Sequence, residues 1–191
     1  MDVAVKFSGG DKLKARLLQM SHGLEKAKRV NVGFLENADY PANDGGARLA
    51  AAAKRARKTP ILGEKGRLGW EHLLSSWAHW QETHSPQLHV AQVAFWEEFG
   101  TSTQKPFPFF RQTILSKSPN WGGHLGRFLK GSEYDAGKAL AKMGILIQGQ
   151  LVDAIETGPA DNAPLTAFIK GFSKRGQDHG IMKRAVDFEV Q

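Results

Sequence analysis

The residues best suited to acid–base chemistry are two adjacent glutamates, Glu97 and Glu98, which follow an apolar segment. Catalysis by a carboxylate pair requires both groups to face one cleft. Neighbouring side chains point in different directions on a helix or a strand, so adjacency argues against such a pair. No serine lies in a nucleophile-elbow sequence, and the turn at residues 8–13 lacks the glycine spacing of a phosphate-binding loop. We therefore predict that the protein is not an enzyme and uses no cofactor.

The seven histidines raise the question of a metal site. His72 and His79 are seven residues apart, whereas zinc ligands on one helix are usually three or four apart and are joined by thiolates or carboxylates. The chain has no cysteine, which also excludes disulfides and thiol chemistry. We predict no metal site and interpret the histidines as solvated or interface residues.

Positive charge is concentrated in two places in a chain whose net charge is +7. The first cluster comprises Lys54, Arg55, Arg57 and Lys58, and the second comprises Lys170, Lys174 and Arg175. The first cluster has two interpretations: a solvated helix face, or a surface that contacts an acidic partner or DNA. It has no groove-reading motif, so sequence-specific recognition of DNA is not expected.

Length and composition are those of one globular domain. The chain has 191 residues, of which 41% are hydrophobic and 24% charged. No apolar run approaches the roughly 20 residues of a membrane span, so no membrane contact is expected. The first residues alternate in polarity and do not resemble a signal peptide, which predicts assembly in a cytoplasm.

The first forty residues follow the order strand, helix, strand. Alternation at residues 3–7 predicts a short strand. Asp11 is placed to cap a helix with one apolar stripe, formed by Leu13, Leu17, Met20 and Leu24. The β-branched, alternating segment at residues 30–35 predicts a second strand.

Residues 41–89 interrupt this plan and are interpreted as an insertion. A basic, alanine-rich helix is predicted at residues 47–58, before Pro60. Three tryptophans at helical spacing follow: Trp70, Trp77 and Trp80. They form either a local core or an anchor for a neighbouring subunit. Periodicity does not decide between helix and strand for the next segment, residues 90–99.

The second half of the chain is mainly helical. Pro108 favours a helix at about 109–116, which Ser118 and Pro119 restart as far as about residue 129. The clearest helix has an apolar stripe from Ala136 to Ile155 and ends at Gly158. A long loop at about 159–180 and a closing strand at residues 186–190 follow. The predicted fold is α+β: a single domain over 1–191, with a small, mostly antiparallel sheet packed with two or three amphipathic helices, plus the helical insertion.

An ordered set of short motifs resembles a family of phage neck and tail-completion proteins related to HK97-type tail components. In the first half of the chain the motifs are VGFLE at 32–36, YP at 40–41, VAFWEEFGT at 93–101 and PFPFFR at 106–111. In the second half they are SPNW at 118–121, IQGQL at 147–151, PLT at 164–166, KGF at 170–172, DHGIM at 178–182 and VDFEV at 186–190. The similarity covers roughly residues 3–40 and 90–190. Phe107 stands where the family has a basic residue and His179 where it has threonine, and residues 41–89 have no counterpart.

The resemblance implies a structural virion protein of a tailed phage, which joins head and tail as one subunit of a homo-oligomeric ring. A hexamer or dodecamer is expected, with connector or stopper proteins and tail terminator or tail tube proteins as partners, and with non-specific contact to phage DNA. The expected location is the neck or tail region of the virion, after assembly in the host bacterial cytoplasm.

Two segments are the expected interfaces of such a subunit. The first is a proline-fixed aromatic hook, and the second is the long loop, which we expect to become ordered against an adjacent ring. Their residues are Phe99, Pro106, Phe107, Pro108, Phe109, Phe110 and Arg111 in the hook, and Lys170, Phe172, Lys174 and Arg175 in the loop.

Two other classes of function compete with this one. A basic nucleic-acid-binding accessory protein would also carry the net charge of +7. A hydrolase that uses Glu97 and Glu98 would require those carboxylates to be available for chemistry.

Overall fold

The computed structural model describes residues 10–34, 38–40, 44–58, 64–84, 88–102, 104–158, 161–162, 164–175 and 180–191, apart from the side chains of 44, 45, 64, 65, 67 and 80–84. The elements in chain order are α1 (Gly10–Leu24), β1 (Val30–Phe34), α2 (Asp44–Arg57), α3 (Glu64–His84), α4 (Val90–Phe99), α5 (Phe109–Gly131), α6 (Ala136–Thr157), α7 (Pro164–Lys170), α8 (Ile181–Arg184) and β2 (Val186–Val190). The strand predicted at residues 3–7 lies outside the described residues.

The α+β class is confirmed, but the described part of the chain is mainly helical, with eight helices and one two-stranded antiparallel sheet. β1 pairs with β2, and Arg29 and Gln191 close the ladder by donating their backbone N–H groups to each other's carbonyls at 3.0 Å. The prediction of two or three helices on a sheet was too low, because residues 90–99 are helical and the predicted loop at 159–180 contains α7.

The chain forms two compact units. Unit 1 comprises the described residues of 1–33, 113–150 and 187–191, and unit 2 those of 34–112 and 151–186. The boundary passes through α5 and α6, and it leaves the predicted insertion, residues 41–89, within unit 2.

In unit 1, α1 is attached through its C-terminal end. Gly23 lies against the turn between α5 and α6, where an added Cβ would be 2.5 Å from the carbonyl oxygen of Tyr134. Only glycine allows this approach of the two backbones. The predicted apolar stripe is not covered by the described residues: Leu13, Leu17 and Leu24 are exposed. Asp11 lies in the first turn and not at the cap, because α1 begins at Gly10.

Asp135 joins this turn to both α1 and α6. Its carboxylate accepts a hydrogen bond from Lys26 Nζ at 2.7 Å and another from the backbone N–H of Lys138 at 3.1 Å. The second bond is that of a helix N-cap, since α6 begins at the next residue. The hydrogen bond from Lys26 is the main reason that the pKa of Asp135 lies below its ordinary value of 3.8.

The depressed pKa makes the stability of unit 1 depend on pH. A carboxyl whose pKa is lower in the folded state stabilises the fold above its unfolded pKa and loses that contribution as the pH falls through the folded value. We expect Lys26→Met to raise the pKa of Asp135 towards 3.8, as measured by carboxyl NMR titration. The stability difference between Lys26→Met and the wild type in urea should therefore be larger at pH 6 than at pH 3. Lys117→Met, a change at an exposed lysine, is the control; an unchanged Asp135 pKa in Lys26→Met would contradict this assignment.

The helix α5 runs without interruption through Pro119, so the predicted pair of shorter helices is wrong. Proline removes one hydrogen bond, to the carbonyl of the residue four positions earlier, Leu115. Leu115 and Pro119 are both exposed, so water can replace the missing donor. Trp121 then fixes α5 to α6 by donating its indole N–H to Gln150 Oε1 at 2.9 Å.

In unit 2, α2 and α3 pack together through small residues. The buried cluster consists of Leu49, Ala52, Ala53, Ala56, Leu74 and Ala78. Trp70 and Trp77 remain exposed; at about 100° per residue they lie about 80° and 100° around α3 from the buried Ala78. The described part of the tryptophan stripe therefore does not form the local core; Trp80 lies outside the described side chains.

Candidate interaction surface

The helix α4 has one face in the core of unit 2 and one apolar face in solvent. Val90, Ala94 and Glu98, spaced four residues apart, are buried. Phe95 and Phe99, also four apart, are 59% and 51% exposed, and their ring centroids are 4.7 Å apart. Apolar residues on both faces explain why periodicity did not separate helix from strand in this segment.

Arg111 completes the exposed face of α4. Its guanidinium lies over the ring of Phe99, 4.7 Å from the centroid, a cation–π geometry. It also donates hydrogen bonds to Glu98, from Nε to Oε1 at 2.8 Å and from an Nη to the backbone carbonyl at 3.0 Å. We call Phe95, Trp96, Phe99 and Arg111 the α4 surface.

Glu98 anchors this surface to the next helix. Its buried carboxylate accepts the backbone N–H groups of Phe110 at 2.9 Å and Arg111 at 3.1 Å, in the first turn of α5. These N–H groups have no partner within the helix, and a negative charge is favoured at the N-terminal end of a helix dipole. Glu98 therefore caps α5 from a different element.

Glu97 makes a separate ion pair on the other side of α4. Its Oε2 accepts hydrogen bonds from two nitrogens of Arg175 at 2.7 and 3.0 Å, and only 12% and 7% of the two side chains are exposed. Arg175 also donates to the carbonyl of Lys105 at 2.9 Å and lies 5.9 Å from the ring of Phe107. The two glutamates thus bind different arginines and do not share a cleft.

The turn after α4 is held by backbone contacts. Gly100 has a φ of 79°, and a Cβ there would lie 2.7 Å from the carbonyl oxygen of Gln104. Thr101 N donates to Gln104 O at 2.9 Å, and Phe107 N donates to Glu97 O at 2.6 Å. A positive φ together with this close contact requires glycine at position 100.

Two rings of the predicted aromatic hook are buried. Phe107 and Phe109 are 5% and 2% exposed. Phe107 lies against Gly158, where a Cβ would be 2.0 Å from the ring, and Phe109 meets Phe34 edge to face at 6.2 Å. Phe99, Pro106 and Arg111 remain exposed, whereas Pro108 and Phe110 are half-buried. Both rings therefore pack inside unit 2, and neither is exposed on its surface.

The described residues of the loop predicted at 159–180 make contacts with one another. The loop contains α7, and Asn162 Nδ2 donates to the carbonyls of Phe172 and Lys174 at 3.4 and 3.1 Å. Lys170, Phe172 and Lys174 are half-buried. Arg175 is buried in the ion pair with Glu97.

The residues of the first basic cluster also differ in their exposure. Lys54, Arg57 and Lys58 are exposed, and Arg57 lies 3.7 Å from Glu71. Arg55 is half-buried and donates to the carbonyls of Phe168 and Ile169 at 2.7 and 2.5 Å. It thereby attaches α2 to α7.

Phe95 and Trp96 were not among the predicted interface residues, although in a helix the i, i+4 spacing of Phe95 and Phe99 indicates a shared face. Within the described side chains, no group of three histidine, aspartate or glutamate residues is placed to hold a metal ion. No helix in the described ranges is long and apolar enough to cross a membrane. Neither a protein-family model, nor a curated protein, nor a solved structure matches the chain.

Proposed function

We propose that this chain is a structural virion protein of a tailed phage, a neck or tail-completion component that joins head and tail as one subunit of a homo-oligomeric ring. The ordered motifs over residues 3–40 and 90–190 support the family, and the α4 surface is the observation that supports self-association. The proposed role involves no catalytic step and no cofactor.

The α4 surface has the composition of an interaction hot spot. Aromatic residues and arginine are enriched at the centres of protein interfaces, and contiguous exposed apolar residues on a folded chain commonly mark an interaction site. Arg111 is held by Glu98 and stacked on Phe99, so little of its side-chain freedom remains to be lost on association. The occupant that we propose for this surface is a second copy of the chain.

Apolar residues on two further helices fit a subunit with several neighbours. Trp70, Leu73 and Trp77 are exposed on α3, and Leu13, Leu17 and Leu24 on α1. We propose that these helices meet other virion parts, namely the connector or stopper on one side and the tail terminator or tail tube on the other. A hexamer or dodecamer in the virion neck, assembled in the host cytoplasm, is the expected product.

The ring proposal is tested by the mass of the purified full chain over a range of concentrations, together with electron micrographs of the particles. We expect closed oligomers for the wild type. Phe95→Ala with Phe99→Ala should weaken association by about 100-fold, because two hot-spot truncations cost roughly 1–2 kcal/mol each. Both side chains are more than half exposed, so the unfolding midpoint of the variant monomer should stay close to that of the wild type.

The matched control is Leu115→Ala with Ile145→Ala, which removes two exposed apolar side chains from other helices. It should associate like the wild type. If the wild type, the Phe95/Phe99 variant and this control all associate equally, the α4 surface is not part of the contact between subunits. A wild type that stays monomeric and turns over a small substrate would overturn the proposed function as a whole.

A second candidate function, a basic nucleic-acid-binding accessory protein, is favoured by the distribution of charge. The described residues of unit 1 carry eleven lysines and arginines against six aspartates and glutamates, a net charge of +5. A binder of this class should lose affinity for duplex DNA steeply with salt. Loss of all retention near physiological salt would argue against it.

A further inference from the structure

An open cleft of about 610 Å³ lies in unit 1, beside the C-terminal end of α1 and the start of α6. The lining residues that bear on its chemistry are His22, Lys26, Ser132, Glu133, Asp135, Lys138 and Lys142. Three of these seven are lysines, and none of the three belongs to the basic clusters noted in the sequence.

The ion pairs of the cleft leave an excess of positive charge. Asp135 neutralises Lys26 at 2.7 Å. Glu133 also lines the cleft and lies 4.0 Å from Arg16. Asp135 also interacts electrostatically with Lys138, whereas no carboxylate of a described residue forms an ion pair with Lys142. The three lysines of the cleft face two carboxylates, Asp135 and Glu133, which leaves one positive charge in excess for an anion.

Lys142 and Ser132 together present donors. Lys142 Nζ donates one hydrogen bond to the hydroxyl oxygen of Ser132 at 3.2 Å. An ammonium group has three donors, so two remain, and a hydroxyl that accepts a hydrogen bond can donate its own hydrogen to a further acceptor. A tetrahedral oxyanion has several oxygen atoms that can accept hydrogen bonds from the Lys142 ammonium and the Ser132 hydroxyl.

The backbone at the rim of the cleft is strained. Glu133 and Tyr134 have φ values of 53° and 63°, in the left-handed region that residues with a Cβ rarely occupy. The contact of Gly23 with the Tyr134 carbonyl holds this turn against α1. Residues kept in such conformations cluster at binding sites, where the strain keeps a site in its binding geometry.

We propose that this cleft binds a phosphate group, and that the source of the phosphate is the backbone of duplex DNA. Lysine binds phosphate as a point charge. The net charge of +5 on the described residues of unit 1 would draw a polyanion to this unit. The site does not depend on ring assembly.

The test is the affinity of the full chain for a short labelled duplex, measured by fluorescence anisotropy at several salt concentrations. Lys138→Gln with Lys142→Gln should lower the slope of log affinity against log salt by about 2, because each phosphate contact contributes about 0.9. The affinity at low salt should fall at least tenfold. Lys138→Arg with Lys142→Arg keeps both charges and should restore binding.

Lys12→Gln with Lys117→Gln is the matched control, since it removes the same charge from exposed positions on α1 and α5 that lie outside the cleft and outside both basic clusters. This control should keep the wild-type slope. An equal fall in both double variants would show a bulk charge effect and overturn the proposal, as would an unchanged slope in Lys138→Gln with Lys142→Gln.

Calorimetry with inorganic pyrophosphate separates the two sources of phosphate. We call Lys138→Gln with Lys142→Gln the cleft variant. If pyrophosphate competes with the duplex for the wild type but not for the cleft variant, the proposal is supported. If the wild type binds pyrophosphate but not DNA, and the cleft variant no longer binds pyrophosphate, then DNA is not the source of the phosphate. Oligomers of normal mass in the cleft variant are expected, so this proposal and the ring proposal can fail separately.

Discussion

Replacing Phe109 with alanine is expected to destabilise the protein by about 3–5 kcal/mol, the usual cost of removing a large aromatic side chain from a core. The ring is 2% exposed and packs against Phe34, Phe107 and Phe110, with centroids 5.7–6.5 Å apart. Truncation leaves a cavity that these neighbours cannot fill without moving. The measurement is the free energy of unfolding in urea, followed by circular dichroism.

The matched control is Phe99→Ala, ten residues earlier and on the exposed α4 surface. It removes the same number of atoms but should cost less than about 1 kcal/mol of stability, because the ring is already half in water. Its effect should appear in the association of subunits. Similar unfolding free energies for the two variants would contradict the assignment of Phe109 to the core and would restore it as a candidate interface residue.

Glu97→Gln is expected to cost about 3–5 kcal/mol, the range for breaking a buried ion pair from one side. The change leaves the charge of Arg175 buried with the Lys105 carbonyl and a neutral amide in place of a carboxylate. Burying an uncompensated charge is more unfavourable than losing the pair as a whole. Urea unfolding at neutral pH measures the effect.

A double-mutant cycle isolates this pair. Arg175→Met removes the cation and keeps much of the side-chain volume, so Glu97→Gln with Arg175→Met should be more stable than the sum of the two single effects predicts. Strict additivity of the two substitutions would show that the arginine and the glutamate act independently. In that case the structural role assigned to Glu97 would be lost.

These expected effects bear on how the function is tested. Substituting Glu97 and Glu98 looks like a direct test for catalysis when only the sequence is known. In the structure, each glutamate is bonded to an arginine, and Glu98 also caps α5. Loss of particle assembly or of an activity in such variants would follow from unfolding alone. Variants of the α4 surface and of the lysine cleft change exposed side chains and avoid this ambiguity.

The helices with a regular apolar repeat could be predicted because their periodicity is local. The stripe from Ala136 to Ile155 correctly predicted α6, and the alternating segments correctly predicted β1 and β2. The helix at 90–99 could not be assigned, because α4 is apolar on both faces. The continuation of α5 through Pro119 could not be predicted either. Proline leaves the carbonyl of Leu115 without its usual donor, and the helix continues because this part of α5 is exposed to water. Exposure depends on the whole fold and not on the local sequence.

The division of residues between core and surface was decided only by tertiary contacts. Phe99 and Phe109 are both phenylalanines beside a turn, yet the first is exposed and the second buried. Arg55 and Arg175 stand among other cations in the sequence, but carbonyl and carboxylate groups far away in the chain bind them. The lysine cleft joins Lys26 to Lys138 and Lys142, more than 100 residues apart. Amino-acid type and spacing set the helices, because backbone hydrogen bonds and side-chain periodicity act over a few residues. Which polar groups become partners depends on where the folded chain brings distant segments together.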